Sequence, residues 1–220
     1  MSTVRKMSNV SIAMQSALGV SKTITAISKA SSGVITATHD FSVGDFVALE
    51  VVGMSQLNGK VYRVAAVSTT ASFQLADVAA STMVDTSDFD TFTSGNAKKI
   101  TFGTSITTAS NISMSGGEFD FIDTTVIHAN QKTQIPGAAN AIKIDLTHLW
   151  DITDTGQIAM KKASDSQTQT AFKFTFGAGG PIMVFTGYVG YIAAPTGSAL
   201  DKITSPSTIT AFGTPNYYVA

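Results

Sequence analysis

The chain has 220 residues, a formal net charge of −1 and no cysteine, and only 13% of its residues are charged. This length is enough for one large β domain or two small domains. The near-neutral charge argues against a basic surface for nucleic-acid binding. The lack of cysteine excludes disulfides, thiolate metal sites and cysteine nucleophiles.

Hydroxyl side chains take the place of the missing charges, with 24 Ser and 30 Thr. Thr is β-branched and suits a half-exposed pleated sheet. Both residues cost less to desolvate than Lys or Glu when a surface becomes buried against another subunit. The acidic residues are 13 Asp and only two Glu, and Asp favours turns and caps. We therefore predict a mainly β fold of many short elements.

No segment has the pattern of a membrane span. The longest apolar stretch, residues 181–194, is interrupted by Thr186 and Gly187 and is too short to cross a bilayer. The apolar segment Val10–Leu18 follows two basic residues, but polar residues interrupt it, which argues against a signal peptide. We expect a soluble intracellular product without membrane partners.

Residues 22–98 have the pattern of a small β-barrel or sandwich. Short β-type runs occur there between turn signals, and Asn58-Gly59 is the strongest hairpin signal in the chain. Several short strands in fewer than 80 residues favour a closed or sandwiched β module. The predicted strands are 32–38, Phe46–Val52, 61–67 and Ser72–Leu75.

From Ile100 onward the predicted strands are longer and alternate more cleanly between apolar and polar residues. Phe119 and Phe121 point to one face, and Asp120 and Ile122 to the other. One helix is predicted at residues 154–164, with Asp154 as its cap and Gln157 as the partner in a capping box. The other predicted strands are Val10–Leu18, 141–149, Thr170–Phe176 and 182–192, and the last of them leads into a tail rich in Pro, Gly and Ser.

The sequence contains no motif that predicts catalysis. His39, His128 and His148 are scattered, and the Asp-rich segment 85–90 lacks the Gly and Glu of a calcium loop. The glycines of 177–180 lie between two strands, so they predict a hairpin turn and not a phosphate loop. Trp150 ends an apolar strand and is expected in the core. We predict no enzyme activity and no catalytic, metal-binding or cofactor-binding residue.

Long alternating strands leave unpaired edges, which monomeric proteins normally protect. A neighbouring copy can satisfy those edges and close a ring by heterologous contacts. The low charge density fits a surface that faces partners, although adhesin sandwiches have similar sequences.

The second half of the chain resembles the siphophage major tail tube proteins. The resemblance covers about residues 100–220 and rests on the order and spacing of several short motifs. These are an aromatic strand that leads to Asp-Thr-Thr at 118–125, an Ile-Pro-Gly segment at 132–137, a strand at 141–149, a helix at 154–164, and the strands Thr170–Phe176 and 185–189.

The resemblance implies a structural virion protein that forms stacked, hexameric rings around a channel for DNA, which passes without specific binding. Its implied partners are other copies of itself, the tape-measure protein and the tail terminator. It is made in the host bacterial cytoplasm and ends in the virion tail. The implied lumen acids are Glu118, Asp120 and Asp123, and the implied inter-ring loop contains Gln134, Ile135, Pro136 and Gly137.

Residues 22–98 resemble the first catalytic cysteine half-domain of ubiquitin-activating enzymes, a β module also seen inserted in phage virion proteins. The similar segments include 34–39, 41–45 and 57–59. The resemblance implies a fold and no ubiquitin chemistry. We therefore expect a discontinuous tail tube domain (1–20 and 99–220) with a small β-barrel domain inserted at 21–98 and projecting outward.

Three alternatives remain open from the sequence. A tail terminator or baseplate hub component has similar features, and so has the inner tube of a contractile injection system. A carbohydrate-binding adhesin module is the third.

Overall fold

Short runs of β-branched and aromatic residues between turns form most of the structure, a computed structural model that describes residues 8–78, 82–128 and 130–219. Strands make up 53% and helices 7%, which confirms the mainly β class. The elements are β1 (Val10–Leu18), β2 (Lys22–Ile27), β3 (Val34–Ala37), β4 (Phe46–Val52), β5 (Val61–Ser68), β6 (Ser72–Leu75), β7 (Ser94–Ile106), β8 (Ala109–Ser115), β9 (Phe119–Asp123), β10 (Gln134–Ala139), β11 (Lys143–Leu149), α1 (Thr155–Ser166), β12 (Thr170–Phe176), β13 (Ile182–Gly190) and β14 (Thr204–Tyr218).

The first half of the chain closes into a six-stranded barrel. Its strand order is β2-β3-β6-β5-β4-β7, and β7 pairs back with β2 to complete the circle. Inward side chains of alternating positions fill it, among them the fully buried Val47, Leu49 and Phe73. The barrel confirms the β module predicted in this region.

The connection from β4 to β5 differs from the predicted two-residue hairpin. A short 3₁₀ helix, Ser55–Leu57, precedes Asn58 and Gly59. Met54 and Leu57 are buried in the barrel core. The connection is longer because it carries apolar side chains that cover one end of the barrel.

The strand β7 runs without a break from the barrel into a second sheet. That sheet has the order β7-β1-β12-β13-β14-β11-β8. Its core contains the stacked rings of Phe172, Phe174 and Phe185, against which Met160 and Ala163 of α1 pack.

The two end strands of this sheet, β7 and β8, are consecutive in the chain. Only Thr107 and Thr108 join them, and this link spans at most about 11 Å. The sheet must therefore roll up until its ends meet at that corner. A wedge of about 610 Å³ opens beside the corner, between the start of β1 and the facing ends of β7 and β8.

The longest strand, β14, was not predicted. Residues 204–218 contain Pro206, Gly213 and Pro215, which read as loop signals. In the structure β14 nevertheless lies between β13 and β11. Its inward positions include the small residues Ser205 and Ser207, which are buried but give no hydrophobic pattern. The strand β8 was missed for the same reason, since Ser and Asn occupy most of its positions.

The barrel is fastened to the sheet by β14 as well as by β7. The backbone N–H of Arg63 donates to Tyr218 Oη at 3.0 Å, and Asn216 Nδ2 donates to the carbonyl of Val61 at 2.7 Å. Thr186 Oγ1 donates to the carbonyl of Gly59 at 3.0 Å. A buried apolar cluster joins the same surfaces and consists of Val61, Ala76, Ile100, Ala171, Val184 and Tyr218.

Replacing Tyr218 with Phe should destabilise the protein by about 1–3 kcal/mol, because the N–H of Arg63 loses its partner in a site from which water is largely excluded. Chemical denaturation monitored by tryptophan fluorescence measures the change. Tyr217→Phe is the matched control, since the Tyr217 side chain is largely exposed. Equal stability of the two variants would contradict this role for Tyr218.

Candidate assembly surface

The described part of the chain contains no group of three or more His, Asp or Glu side chains placed to hold a metal ion. His39 and His148 are buried in separate cores, while His128 is exposed. Polar side chains therefore do not converge on a site of this kind in 8–78, 82–128 or 130–219.

The helix found among the described residues is not long and apolar enough to cross a membrane.

The most unusual feature is a two-stranded arm formed by β9 and β10. The strands β8 and β11 pair up to Ser115 and Lys143, and the arm continues the same hairpin beyond them. Gly116 and Gly117, each with a φ of +86°, bend the chain where the arm leaves the sheet. A Cβ on Gly116 would lie 2.3 Å from the carbonyl oxygen of Ala141, so this position requires glycine.

The arm exposes apolar side chains on both of its faces. Phe121 lies opposite Pro136, and Phe119 opposite Ala139, so these four residues share one face. Ile122 lies opposite Ile135 on the other face. Phe119, Phe121, Ile122 and Ile135 are each more than half exposed. An isolated two-stranded hairpin is at best marginally stable in water, so the arm needs a partner surface.

The lumen acids implied by the sequence all belong to this arm. Asp120 lies on the face of Ile122, and Glu118 precedes it by two residues and so shares its direction. Asp123 lies on the opposite face, with Phe121. The three carboxylates are near one another in the chain but are divided between two faces.

The proposed inter-ring loop is not a loop in the structure. Gln134, Ile135, Pro136 and Gly137 lie in β10, where Pro136 pairs with Phe121. Pro is tolerated because β10 is an edge strand, on which a missing N–H need not break a pair. The loop of the arm comes earlier, between β9 and β10, and its described residues are 124–128 and 130–133.

Asp123 has a local structural role. Its Oδ1 accepts a hydrogen bond from the backbone N–H of Thr125 at 2.8 Å. Hydrogen bonds from the Thr125 side chain and backbone hold the pKa of the Asp123 carboxyl below its ordinary value. Thr124 and Thr133 close the loop, because the N–H of Thr124 donates to the carbonyl of Thr133 at 2.9 Å. These hydrogen bonds therefore close the base of the loop.

Two further strand edges lack a partner among the described residues. β8 pairs only with β11, and β7 beyond Ile100 pairs only with β1. These edges lie at the two ends of the rolled sheet. Each one presents backbone N–H and C=O groups to which another strand can add.

A polar network fixes the start of α1. Asp154 caps the helix as predicted, because its Oδ1 accepts from the N–H of Gln157 at 2.8 Å. The predicted capping box is incomplete, since Gln157 does not return a bond to Asp154. Its side chain donates to Leu149 O at 2.6 Å and accepts from Tyr191 Oη at 2.7 Å. Gln157 therefore ties the helix to β11 and to the end of β13.

Trp150 is not a core residue as predicted but one wall of a groove beside α1. Its indole Nε1 donates to the carbonyl of Ala193 at 3.1 Å, and the rest of the ring is partly exposed. Ile152 and Ile158 border the same groove and are largely exposed. The sequence draws attention to Trp150, but the position of its side chain in the wall of a groove depends on the contact with Ala193, which is distant in the chain.

His148 is buried between β14 and the corner that joins β7 to β8. Its Nε2 lies 2.7 Å from Ser207 Oγ, and its Nδ1 lies 3.4 Å from Thr108 Oγ1. Burial lowers the pKa of His148, against a smaller opposing effect of the Asp154 carboxylate. The folded protein therefore favours the neutral imidazole.

The family model for phage tail tube proteins (TTP) matches residues 52–220. The matched region starts at the last residue of β4 and includes half of the strands of the barrel, the rolled sheet except β1, the arm and α1. No curated protein matches the chain.

Stability should fall as the pH is lowered from 7 to 5, because the unfolded chain protonates His148 near pH 6.5 while the folded chain resists it. Denaturation midpoints measured at both pH values test this. His148→Asn should flatten the pH dependence, and His128→Asn, a change at an exposed position, should leave it as in the wild type. If His148→Asn leaves the pH dependence of stability unaltered, His148 is not its source.

Gly116→Ala should destabilise the protein by more than the roughly 1–2 kcal/mol expected for a non-glycine residue at positive φ, because the backbone at Ala141 must also move. Gly179→Ala is the control, since Gly179 also has a positive φ but has open space around it. Denaturation of both variants separates the steric contact from the backbone strain. Equal losses would show that the contact with Ala141 does not matter.

Proposed function

Because the chain belongs to the phage tail tube protein family, we propose that it forms the tube of a non-contractile siphophage tail, as stacked hexameric rings around a channel for DNA. A protein of this family is a structural subunit of the virion tail that assembles with copies of itself. The arm is the observation that carries the proposal in this chain, because both of its faces expose apolar side chains that a monomer leaves uncovered.

Ring closure uses the unpaired edges of the rolled sheet. β8 of one subunit and the distal part of β7 of the next are different surfaces, so their contact is heterologous and repeats around an axis. The backbone hydrogen bonds formed there continue each sheet into its neighbour. The scarcity of charges supports this arrangement, because few ions need to be desolvated in the interface.

The two faces of the arm have different tasks in this proposal. The face of Phe119, Phe121 and Pro136 is the more apolar, and it packs against a neighbouring subunit. The face with Asp120, and Glu118 before it, turns to the channel, where carboxylates repel the DNA phosphates and allow DNA to pass without binding. Asp123 is engaged in the loop turn and contributes less to the lumen.

The barrel of residues 21–98 is proposed as an inserted domain outside the tube domain of 1–20 and 99–220. Its fastening by Tyr218 and Asn216 and the apolar cluster around Val61 support a fixed orientation relative to the tube. Removing the barrel would expose Ile100 and Val184 of that cluster. The tape-measure protein inside the tube and the tail terminator at its end complete the proposed set of partners.

The test compares the full chain with a variant that lacks the arm. Residues 118–139 are replaced by Asn-Gly, a two-residue turn that fits because Gly117 N donates to Asn140 O at 3.0 Å. Negative-stain microscopy should show sixfold rings and hollow tubes for the full chain. The armless variant should keep its circular dichroism and melting temperature but form no tubes.

Val43→Asp is the control for a change on the protein surface outside the arm, since Val43 is an exposed residue of the barrel. This variant should assemble normally. The proposal fails if the full chain remains a monodisperse monomer at high concentration. It also fails if the armless variant forms tubes as readily as the full chain.

A further inference from the structure

We propose that the groove beside α1 receives the tip of the arm of a neighbouring copy, and that this contact joins one ring to the next. The inference rests on the proposed tube assembly and names the two surfaces that meet. The groove has a volume of about 210 Å³ and lies between Trp150, Ile158 and Tyr191. The tip consists of Val126 and Ile127, in the loop of the arm.

The groove is preformed and apolar. The polar atoms of its walls are already paired inside the chain, as Trp150 Nε1 donates to Ala193 O and Tyr191 Oη donates to Gln157 Oε1. What the groove offers to an incoming group is therefore the indole and the side chains of Ile152 and Ile158. A branched aliphatic side chain fits these walls, whereas a polar ligand would find few free hydrogen-bonding groups.

The tip is held at its base and apolar at its end. Hydrogen bonds among Thr124, Thr125 and Thr133 close the base of the loop. The side chains of Val126 and Ile127 are left outside, and Ile127 is 97% exposed. Hydrogen bonds that already hold the base of the loop and the walls of the groove reduce the conformational entropy lost on binding, which favours the contact.

The positions of the two surfaces make the contact intermolecular. The arm leaves the sheet next to the first residue of β11, and Trp150 follows the last residue of the same strand. The seven residues of β11 separate them by roughly 20 Å. A tip at one end and a groove at the opposite end of each subunit produce a head-to-tail contact that repeats without closing, which is the symmetry of a stack.

The charges near the two surfaces are compatible. Residues 124–133 include Lys132 and no carboxylate. At the groove, the ammonium of Lys161 is paired with Asp165 at 2.5 Å, and Asp151 adds an exposed carboxylate. An incoming Lys132 therefore meets acidic groups at the rim.

A second apolar hollow, of about 490 Å³, lies at the root of the arm beside Phe119 and Phe212. It is at the same end of β11 as the arm, so a tip arriving from a copy stacked at the other end would not reach it. This hollow supplies the comparison for the experiment.

Disulfide crosslinking tests the contact. Only the introduced cysteines can form disulfides, because the chain has no cysteine of its own. The Ile127→Cys/Ile158→Cys variant is assembled into tubes, oxidised and run on a non-reducing gel. The expected result is a ladder of covalent oligomers, with peptides that join positions 127 and 158 found by mass spectrometry. The Ile127→Cys/Ala139→Cys variant, which probes the hollow at the arm root, should give no ladder.

A second measurement covers the case in which the paired variant does not assemble. Ile158→Asp should leave rings intact but abolish long tubes, and Val43→Asp should not. The inference is overturned if tubes form with crosslinks only in the 127/139 variant, or if Ile158→Asp builds tubes of normal length. Those outcomes leave the tube function standing, whereas a wild-type chain that never assembles removes both.

Discussion

The continuous backbone of β7 is the constraint on which the rest of the structure depends. Its first half hydrogen-bonds to β2 and β4 and closes the barrel, while its second half pairs with β1 and begins the rolled sheet. Because one strand belongs to both units, a change of its register would displace the barrel and the sheet together. The bonds from Tyr218 and Asn216 to the barrel add a second connection, so the barrel cannot rotate about β7.

The distribution of exposed apolar surface follows from this arrangement of the barrel and the rolled sheet. The two cores are closed by the barrel and by α1, yet the arm, its loop and the groove beside α1 remain exposed. These exposed groups do not form one continuous patch. They are divided between the two ends of β11, so that covering one set leaves the complementary set free, and growth of an assembly can continue.

The sequence predicts the elements whose pattern is local. The strand β1, the Phe-rich β12 and the capped helix α1 were predicted because alternation or a cap signal lies within each segment. The resemblance to tail tube proteins at residues 100–220 is confirmed by the family match, which starts earlier, at Val52. Elements whose environment is set by distant residues were missed, as β14 and the wall formed by Trp150 illustrate. The arm was predicted as a strand and a loop, but its projection from the sheet depends on the bend at Gly116 and Gly117.

The place of β14 also bears on how a newly made chain folds. β14 follows every other described strand in the chain and lies between β13 and β11, and β1 pairs with β12, far away in the sequence. Contacts of such long range form slowly, and the sheet cannot be completed before β14 has been synthesised. Until then β11 and β13 lack their shared neighbour, and the arm has no finished sheet behind it. Vectorial synthesis thus delays the appearance of an assembly-competent subunit until β14 has been made.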